Sequence, residues 1–366
     1  MPFTDLAPIT ARFTPREEAD RTLRDACDAH PDLARVEEIG QSEENRPLLG
    51  VTLGRGPRTV TLVAGAHADE PVGPETLLHL VTASLAYPDR VADVLERYTF
   101  RLVPHVNPDG AARNAAWVAQ WSEDADPTPA LAAYLLHRDR EPPGRDVEFG
   151  YPVMRRENAA ASRFLFRYDP ISLHMSLHGM GFSEGALLLI ERRWADGADA
   201  LKAGWRDAAR AAGLRLHDHD RKGEKGFHYY GPGFHATPEG AAMRAYFRDL
   251  GDKATAALFF HASMEWAVLT GRDPVTGRTP LCLVTELPLF LISAPYAHTP
   301  GVPALYERFN DSLPLLTLAA RAGSEAPLRA AIEEHGLRAL PLADAIRLQL
   351  TALDLGLAAV DAAHEA

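Results

Sequence analysis

The chain has 366 residues, 46% of them hydrophobic and 24% charged, with a formal net charge of −12 and two cysteines. That is enough chain to bury a core, in proportions ordinary for a soluble globular enzyme; the acid excess argues against a general nucleic-acid binder, and Cys27 and Cys282 are too few for a disulfide framework and read as buried reduced thiols. No apolar run reaches the length of a membrane span, and the first ten residues lack a basic segment followed by an apolar one, so the expectation is a cytoplasmic protein without a nucleic-acid or membrane partner.

Thr14-Pro15-Arg16-Glu17-Glu18 predicts a helix start, with Thr14 as N-cap and Pro15 at the first helical position, running to about Ala29. Ala34–Ser42 and Pro47–Leu53 read as strands joined by a polar turn at 43–46. Thr59–Ala64 is almost continuously apolar, as in a strand covered on both faces, and runs into Gly65-Ala66-His67-Ala68-Asp69-Glu70. From Gly73 the spacing of Leu77, Leu78, Leu80, Val81 and Leu85 becomes helical. Thr99–Pro104 is a short strand leading into Asn107-Pro108-Asp109-Gly110, and residues 121–150 read as a surface excursion around a helical core, Ala130–His137. Further strands follow at Ile171–His178, Ala186–Ile190 and Leu281–Leu287. His217–Glu239 carries four histidines with little periodicity; so long a loop in a compact domain is usually functional, and it is expected to lie over the site. The alternation predicts an α/β fold with a mixed, mostly parallel central sheet flanked by helices.

Ligands in such sheets collect at the carboxyl ends of strands, and four of these ends carry chemistry-capable residues. His67 and Glu70 stand three apart at one of them; a catalytic Zn²⁺ commonly takes two His and one Glu and keeps a fourth position for water. Alone, such a pair is a weak signal. The alternation in Ile171–Gly179 puts His174 and His178 on one face, with His178 at the carboxyl end as third ligand and His174 deeper, as a core histidine or a partner of the ligands. Glu286 interrupts an otherwise apolar strand. An ionised carboxylate there is costly unless paired or close to a metal, and beside Zn²⁺ it could accept the proton of a bound water; a salt bridge to an arginine is the alternative.

Gly65-Ala66-His67-Ala68-Asp69-Glu70, Asn107-Pro108-Asp109-Gly110, Ser176-Leu177-His178-Gly179 and Thr285-Glu286-Leu287-Pro288, in that order, resemble the motif set of the zinc carboxypeptidase family over about residues 12–300. The segment Ile39-Gly40-Gln41-Ser42 to Arg46-Pro47-Leu48 is similar to that family's first strands. The resemblance implies a zinc carboxypeptidase-like sandwich of helices and sheet. It implies one Zn²⁺ per chain on His67, Glu70 and His178, and Glu286 as general base and acid. Asn107 would shape the cleft, and an arginine, for which Arg113 is best placed, would polarise the scissile carbonyl. Residues 1–312 would form the catalytic domain, with 313–366 as helices packed on it.

The family's exopeptidases carry Asp-Leu-Asn-Arg-Asn-Phe-Pro, whose Asn-Arg pair grips a terminal carboxylate. Here Asp146-Val147-Glu148-Phe149-Gly150-Tyr151-Pro152 puts Glu148 and Phe149 in those places, and Phe cannot replace a bidentate guanidinium. Either Arg155 or Arg156 takes over from a shifted loop, or the substrate has no terminal carboxylate there and Glu148 recognises an amine. An aromatic proton donor could be Tyr229, Tyr230 or Tyr296. The implied function is zinc-dependent, carboxypeptidase-like cleavage of a peptide or small amide. Two alternatives stand beside it: an amidohydrolase or deacylase of the same superfamily acting on N-acyl amino acids or modified peptides, and a non-enzymatic binding module, against which the complete set of ligands plus Glu286 argues.

Overall fold

The structure, a computed structural model, describes residues 2–167 and 169–365. Its strands are β1 Ala34–Gln41, β2 Pro47–Leu53, β3 Arg58–Ala64, β4 Tyr98–Val103, β5 Ile171–Ser183, β6 Gly185–Ile190, β7 Arg215–Leu216, β8 Tyr229–Gly231, β9 Phe234–Ala236, β10 Leu281–Ile292 and β11 Leu337–Ala339. They join in one sheet of order β1-β2-β4-β3-β5-β10-β6-β9-β8, with β11 on β10 and β7 on β6. The centre, β4-β3-β5-β10, is parallel, and so are the pairs β6-β9 and β6-β7. The sheet is antiparallel at β1-β2-β4, where β10 meets β6 and β11, and at β8-β9. The expected mixed sheet flanked by helices is therefore present, with its parallel character concentrated where the strands are buried on both faces.

Alternation sorts the central side chains between two apolar layers. Val60, Leu62, Leu173, Met175, Leu177, Leu281, Leu283 and Leu287 face one layer, which also takes in residues of helices Val72–Ala86 and Leu342–Glu365. Val63, Cys282 and Val284 face the other, with Phe164 of helix Arg156–Leu165 and Met264 of helix Ser263–Thr270. His174, Ser176, His178 and Glu286 fall by the same alternation on this second face.

Several local expectations shift. Thr14 does not cap the first helix, Arg16–Ala29, whose N-cap is Pro15; its amide and hydroxyl instead donate to Glu75 at 2.8 and 3.0 Å. Strands β5 and β10 run on to Ser183 and Ile292, because they pair in parallel from Leu173↔Leu281 to Ser183↔Leu291. Pro288, one residue beyond the expected strand Leu281–Leu287, lies between the stretch of β10 paired with β6 and the stretch paired with β11, where no ladder on that side needs its missing N–H. The boundary drawn after residue 312 falls inside helix Ala304–Arg321, and the C-terminal helix shares its apolar layer with β3, β5 and β10. Among the described residues no helix is long and apolar enough to cross a membrane.

Candidate metal centre

Strand β3 ends at Ala64, and Gly65, with φ of +73°, turns the chain so that His67 and Glu70 come back over the end of β5. An L side chain resists that conformation, which is the local reason for a glycine there. In the parallel ladder Glu286 is in register with His178, and alternation puts both on one face. The four residues thus meet because two strands share a register and a third ends in a tight turn.

The donors converge closely. His67 Nδ1, His178 Nδ1 and a Glu70 oxygen belong to a group whose ligand atoms all lie within 4.8 Å of one another. Nδ1 of His67 is 2.8 Å from Glu70 Oε1, Nδ1 of His178 is 3.0 Å from Glu70 Oε2, and the two Nδ1 atoms are 3.1 Å apart. Each imidazole is held from behind through its other nitrogen: His67 Nε2 by Asp146 at 3.0 Å, and His178 Nε2 by Glu148 at 3.0 Å and Ser176 at 2.7 Å. Glu148 also accepts from the amide and hydroxyl of Ser263, whose hydroxyl lies 3.1 Å from His174 Nε2; His174 Nδ1 in turn meets Thr61. His174 is therefore the far end of a polar chain that leads to His178.

The electrostatics agree with a cation site. Three carboxylates surround two imidazoles. Burial opposes protonation of His178, as does His67, yet Glu148 and Glu70 lift its pKa to about 10. Glu148 is buried, which raises a carboxyl pKa, but His178 and Ser263 bring it down to about 2, and Glu70 is held well below the usual carboxylate range by the two imidazoles against the same burial. Glu286 behaves in the opposite sense: burial and the charge of Glu70 push it up to about 8. Once a divalent metal displaces the protons that these carboxylates hold on the rings, the two imidazoles and the ionised Glu70 are a donor set for it, and the carboxylates behind both rings are the supports that metal-bound histidines usually have.

A cleft of about 380 Å³ opens beside these groups. Met180, Phe182, Phe227, Met243, Met264 and Val284 give it apolar walls; Arg138, Arg140, Arg221 and Lys225 bring positive charge. A second, mostly apolar cavity of about 360 Å³ lies behind the same His67–Glu70 segment and is reached by Asn107 and His105.

Several residues expected at the site lie elsewhere or act differently. Arg113 is not in the cleft. Its guanidinium is engaged by Asp139, Glu44 and Glu141 at 2.6, 3.0 and 2.9 Å, because its helix, Pro108–Val118, turns it toward the acidic 139–141 segment. Asn107 caps that helix by accepting from Gly110 N and donates to Glu141, so it braces the loop and does not line the cleft. Arg155 is buried among Glu43, Glu141 and Glu157, and Arg156 is exposed and bonded to Asn45; neither replaces a carboxylate clamp. Glu148 is committed to His178 and Ser263, which removes it as an amine receptor. Tyr229, Tyr230 and Tyr296 do not line the cleft, whereas Tyr134 and Tyr306 do. Of the 217–239 segment, Arg221, Lys225, Phe227 and Pro238 border the cleft, while His217 and His235 are buried.

Sequence reasoning missed Asp146 as the partner of His67, and it missed Gln349. From the C-terminal helix Gln349 donates to the backbone carbonyl of His178 and to Thr285 Oγ1 at 3.1 and 3.0 Å, and accepts from Thr76 at 2.6 Å. The Ser176 and His174 supports were readable in principle from the period-two alternation with His178; nothing in the sequence pointed to Gln349.

Residues 20–140 match the family model described as zinc carboxypeptidase. Over 99 residues the chain is 30% identical to carboxypeptidase B of Astacus astacus, covering 26% of this chain and 33% of that protein. Over 99 residues it is 32% identical to zinc carboxypeptidase A 1 of Anopheles gambiae, covering 26% and 23%. The chain thus spans a third or less of these relatives. In three dimensions it resembles a metallo-carboxypeptidase from Burkholderia cenocepacia with a TM-score of 0.51 and 14% identity, over 94% of this chain and 69% of that one, a likeness of fold. The match over residues 20–140, which include His67 and Glu70, is thus a likeness of this part of the chain to the zinc carboxypeptidase family.

Proposed function

We propose that this chain hydrolyses a peptide or amide bond, with one zinc ion held by His67, Glu70 and His178 and with Glu286 as general base. The observation that carries the reading is the convergence of the three donors, with His178 in register with Glu286, in the lining of one cleft. Bound zinc would polarise the scissile carbonyl and bring the pKa of its water down to about 7. Asp146 and Glu148 keep the Nδ1 atoms of both imidazoles pointed at the metal position. Glu286, partly open to the cleft, takes a proton from water and returns it to the leaving nitrogen.

The deacylase reading stays beside the carboxypeptidase one for a specific reason. The 146–152 segment presents no arginine to the cleft, since Glu148 is turned to His178 and Phe149 is buried. Release of a C-terminal residue against removal of an N-acyl group, assayed on matched substrates, separates the two. For the chemistry itself the test is Glu286→Gln. It should keep one equivalent of zinc by elemental analysis and lose hydrolysis by roughly 10²- to 10⁴-fold, the usual contribution of a positioned acid–base group. Hydrolysis near the wild-type rate in a zinc-loaded variant would falsify the role of Glu286.

A further inference from the structure

The charged groups lining the cleft do not balance in a neutral way. Glu70, Asp146 and Glu148 are bound to the two imidazoles, and Asp69 takes Arg140 and the hydroxyl of Tyr134. Only Glu286 is left, and it sits against the metal ligands. Among the cations, Arg140 has Asp69, and Lys225 has Glu224 at 3.3 Å. Arg138 and Arg221 have no carboxylate partner among the described residues. Arg138 reaches the hydroxyl of Tyr134 and lies over its ring, and Arg221 lies over the ring of Phe227 at 4.2 Å. In a chain with 50 acidic residues against 38 Lys and Arg, two guanidiniums without an acid in one cleft need a reason.

The backbone supplies a second observation. Three described residues other than glycine have positive φ, and two of them, Lys222 and Lys225, both at +53°, stand in one turn with Gly223 at +79° and Gly226 at +84°. An L-residue adopts that conformation at a penalty, and the turn that carries it twice is the one presenting Arg221 and Lys225 to the cleft. Strain of this kind persists where the surrounding structure holds a particular arrangement of groups.

We propose that the cleft takes a dicarboxylate: an amide of an acidic amino acid of the aspartate or glutamate type, one carboxylate met by Arg138 and the other by Arg221. The planar fork of a guanidinium pairs a carboxylate through two parallel bonds, and removing it from solvent-rich surface into a cleft makes the pair selective. The volume of about 380 Å³ accommodates a ligand of that size. A basic side chain in the same place would add a cation to four others with only Glu286 to meet it. The identity of the scissile bond rests on the hydrolytic reading above; the preference for two carboxylates does not.

The test is calorimetric titration of the zinc-loaded full chain with glutarate, butyrate and 5-aminopentanoate, which hold two carboxylates, one, and one with an amine, and contain no bond to hydrolyse. Glutarate should bind roughly ten- to a hundredfold more tightly than butyrate, as a charge-assisted bond to a partly buried group implies, and 5-aminopentanoate no better than butyrate. Arg221→Gln and Arg138→Gln should each bring glutarate down to the butyrate level, and Arg221→Lys should keep part of the gain. Equal binding of glutarate and butyrate to the wild-type chain overturns the proposal, as does a gap that survives both glutamine variants. Hydrolysis of N-acyl and C-terminal glutamyl amides is followed in parallel: a glutarate preference with no hydrolysis removes the reaction and keeps the site, and hydrolysis without the preference does the reverse.

Discussion

His178 has no free edge. Nδ1 faces Glu70 and His67, Nε2 faces Glu148 and Ser176, and its carbonyl accepts from Gln349. A ring fixed on both sides keeps one nitrogen available to a metal, and the carboxylate behind it raises its basicity. Glu148→Gln should therefore weaken zinc binding by roughly 10- to 100-fold, measured by competition with a chelator, while the fold persists; an unchanged affinity would mean that Glu148 does no more than fill space. At this scale the sequence was most legible where a polar residue breaks an apolar strand. His178 and Glu286 stood out for that reason, and His67 and Glu70 because they follow directly on the end of such a strand. Arg113, Arg155 and Arg156 were misread because their partners, Glu43, Glu44, Asp139 and Glu141 among them, lie in turns and irregular segments whose placement no periodicity records. Glu148 was misread because a buried carboxylate facing a histidine looks, in sequence, the same as one facing a substrate.

The elements hold the site by close approach. Helix Val72–Ala86 begins two residues after Glu70 and passes so near β5 that a Cβ at Gly73 would stand 2.4 Å from the carbonyl oxygen of Leu177 and 3.1 Å from the Cβ of Ala64. Alanine is the better helix former by about 1 kcal/mol, but the backbone of β5 cannot yield as a flexible side chain would, and forced overpacking typically costs about 1–3 kcal/mol. The steric effect wins. Gly73→Ala should lower the thermal midpoint and reduce zinc retention together, since the displaced strand carries His178; a raised midpoint would show that the helix can back away. The sequence carries no hint of this contact, for the spacing that identifies the helix is silent about its distance from the sheet. It did identify the central strands, because burial on both faces leaves an unbroken apolar run. It underestimated the lengths of β5 and β10, whose extensions carry Gly179, Met180, Gly181 and Pro288 and are held by pairing with each other.

Across the whole molecule one apolar layer extends from Phe3 through the central strands to Val360. The last helix is thereby part of the frame of the site, and Gln349 is its point of contact, buried and bonded to groups from three other elements. Gln349→Leu would keep the approximate volume and strand the Thr285 hydroxyl and a carbonyl, while the Thr76 hydroxyl keeps the carbonyl of Val72. The expected loss is about 1–3 kcal/mol for each group that finds no other partner, read as a lower denaturation midpoint, with zinc affinity falling in step. Stability unchanged from wild type would show that the helix serves packing alone. The residues that perform the proposed chemistry end at 286; the residue that joins their strands comes 63 positions later, by the numbering of the two side chains.

That order has a consequence for biosynthesis. A nascent chain emerges with its first domain residues free to fold before the last are made, and here the three donors and Glu286 are all exposed to the surroundings before Gln349 has been added. Until helix Leu342–Glu365 docks, β5 and β10 lack the bridge between the carbonyl of His178 and Thr285. On the proposed ligand set the growing polypeptide would hold every donor without the clamp that sets their strands, so lasting metal capture would wait for the docking of helix Leu342–Glu365.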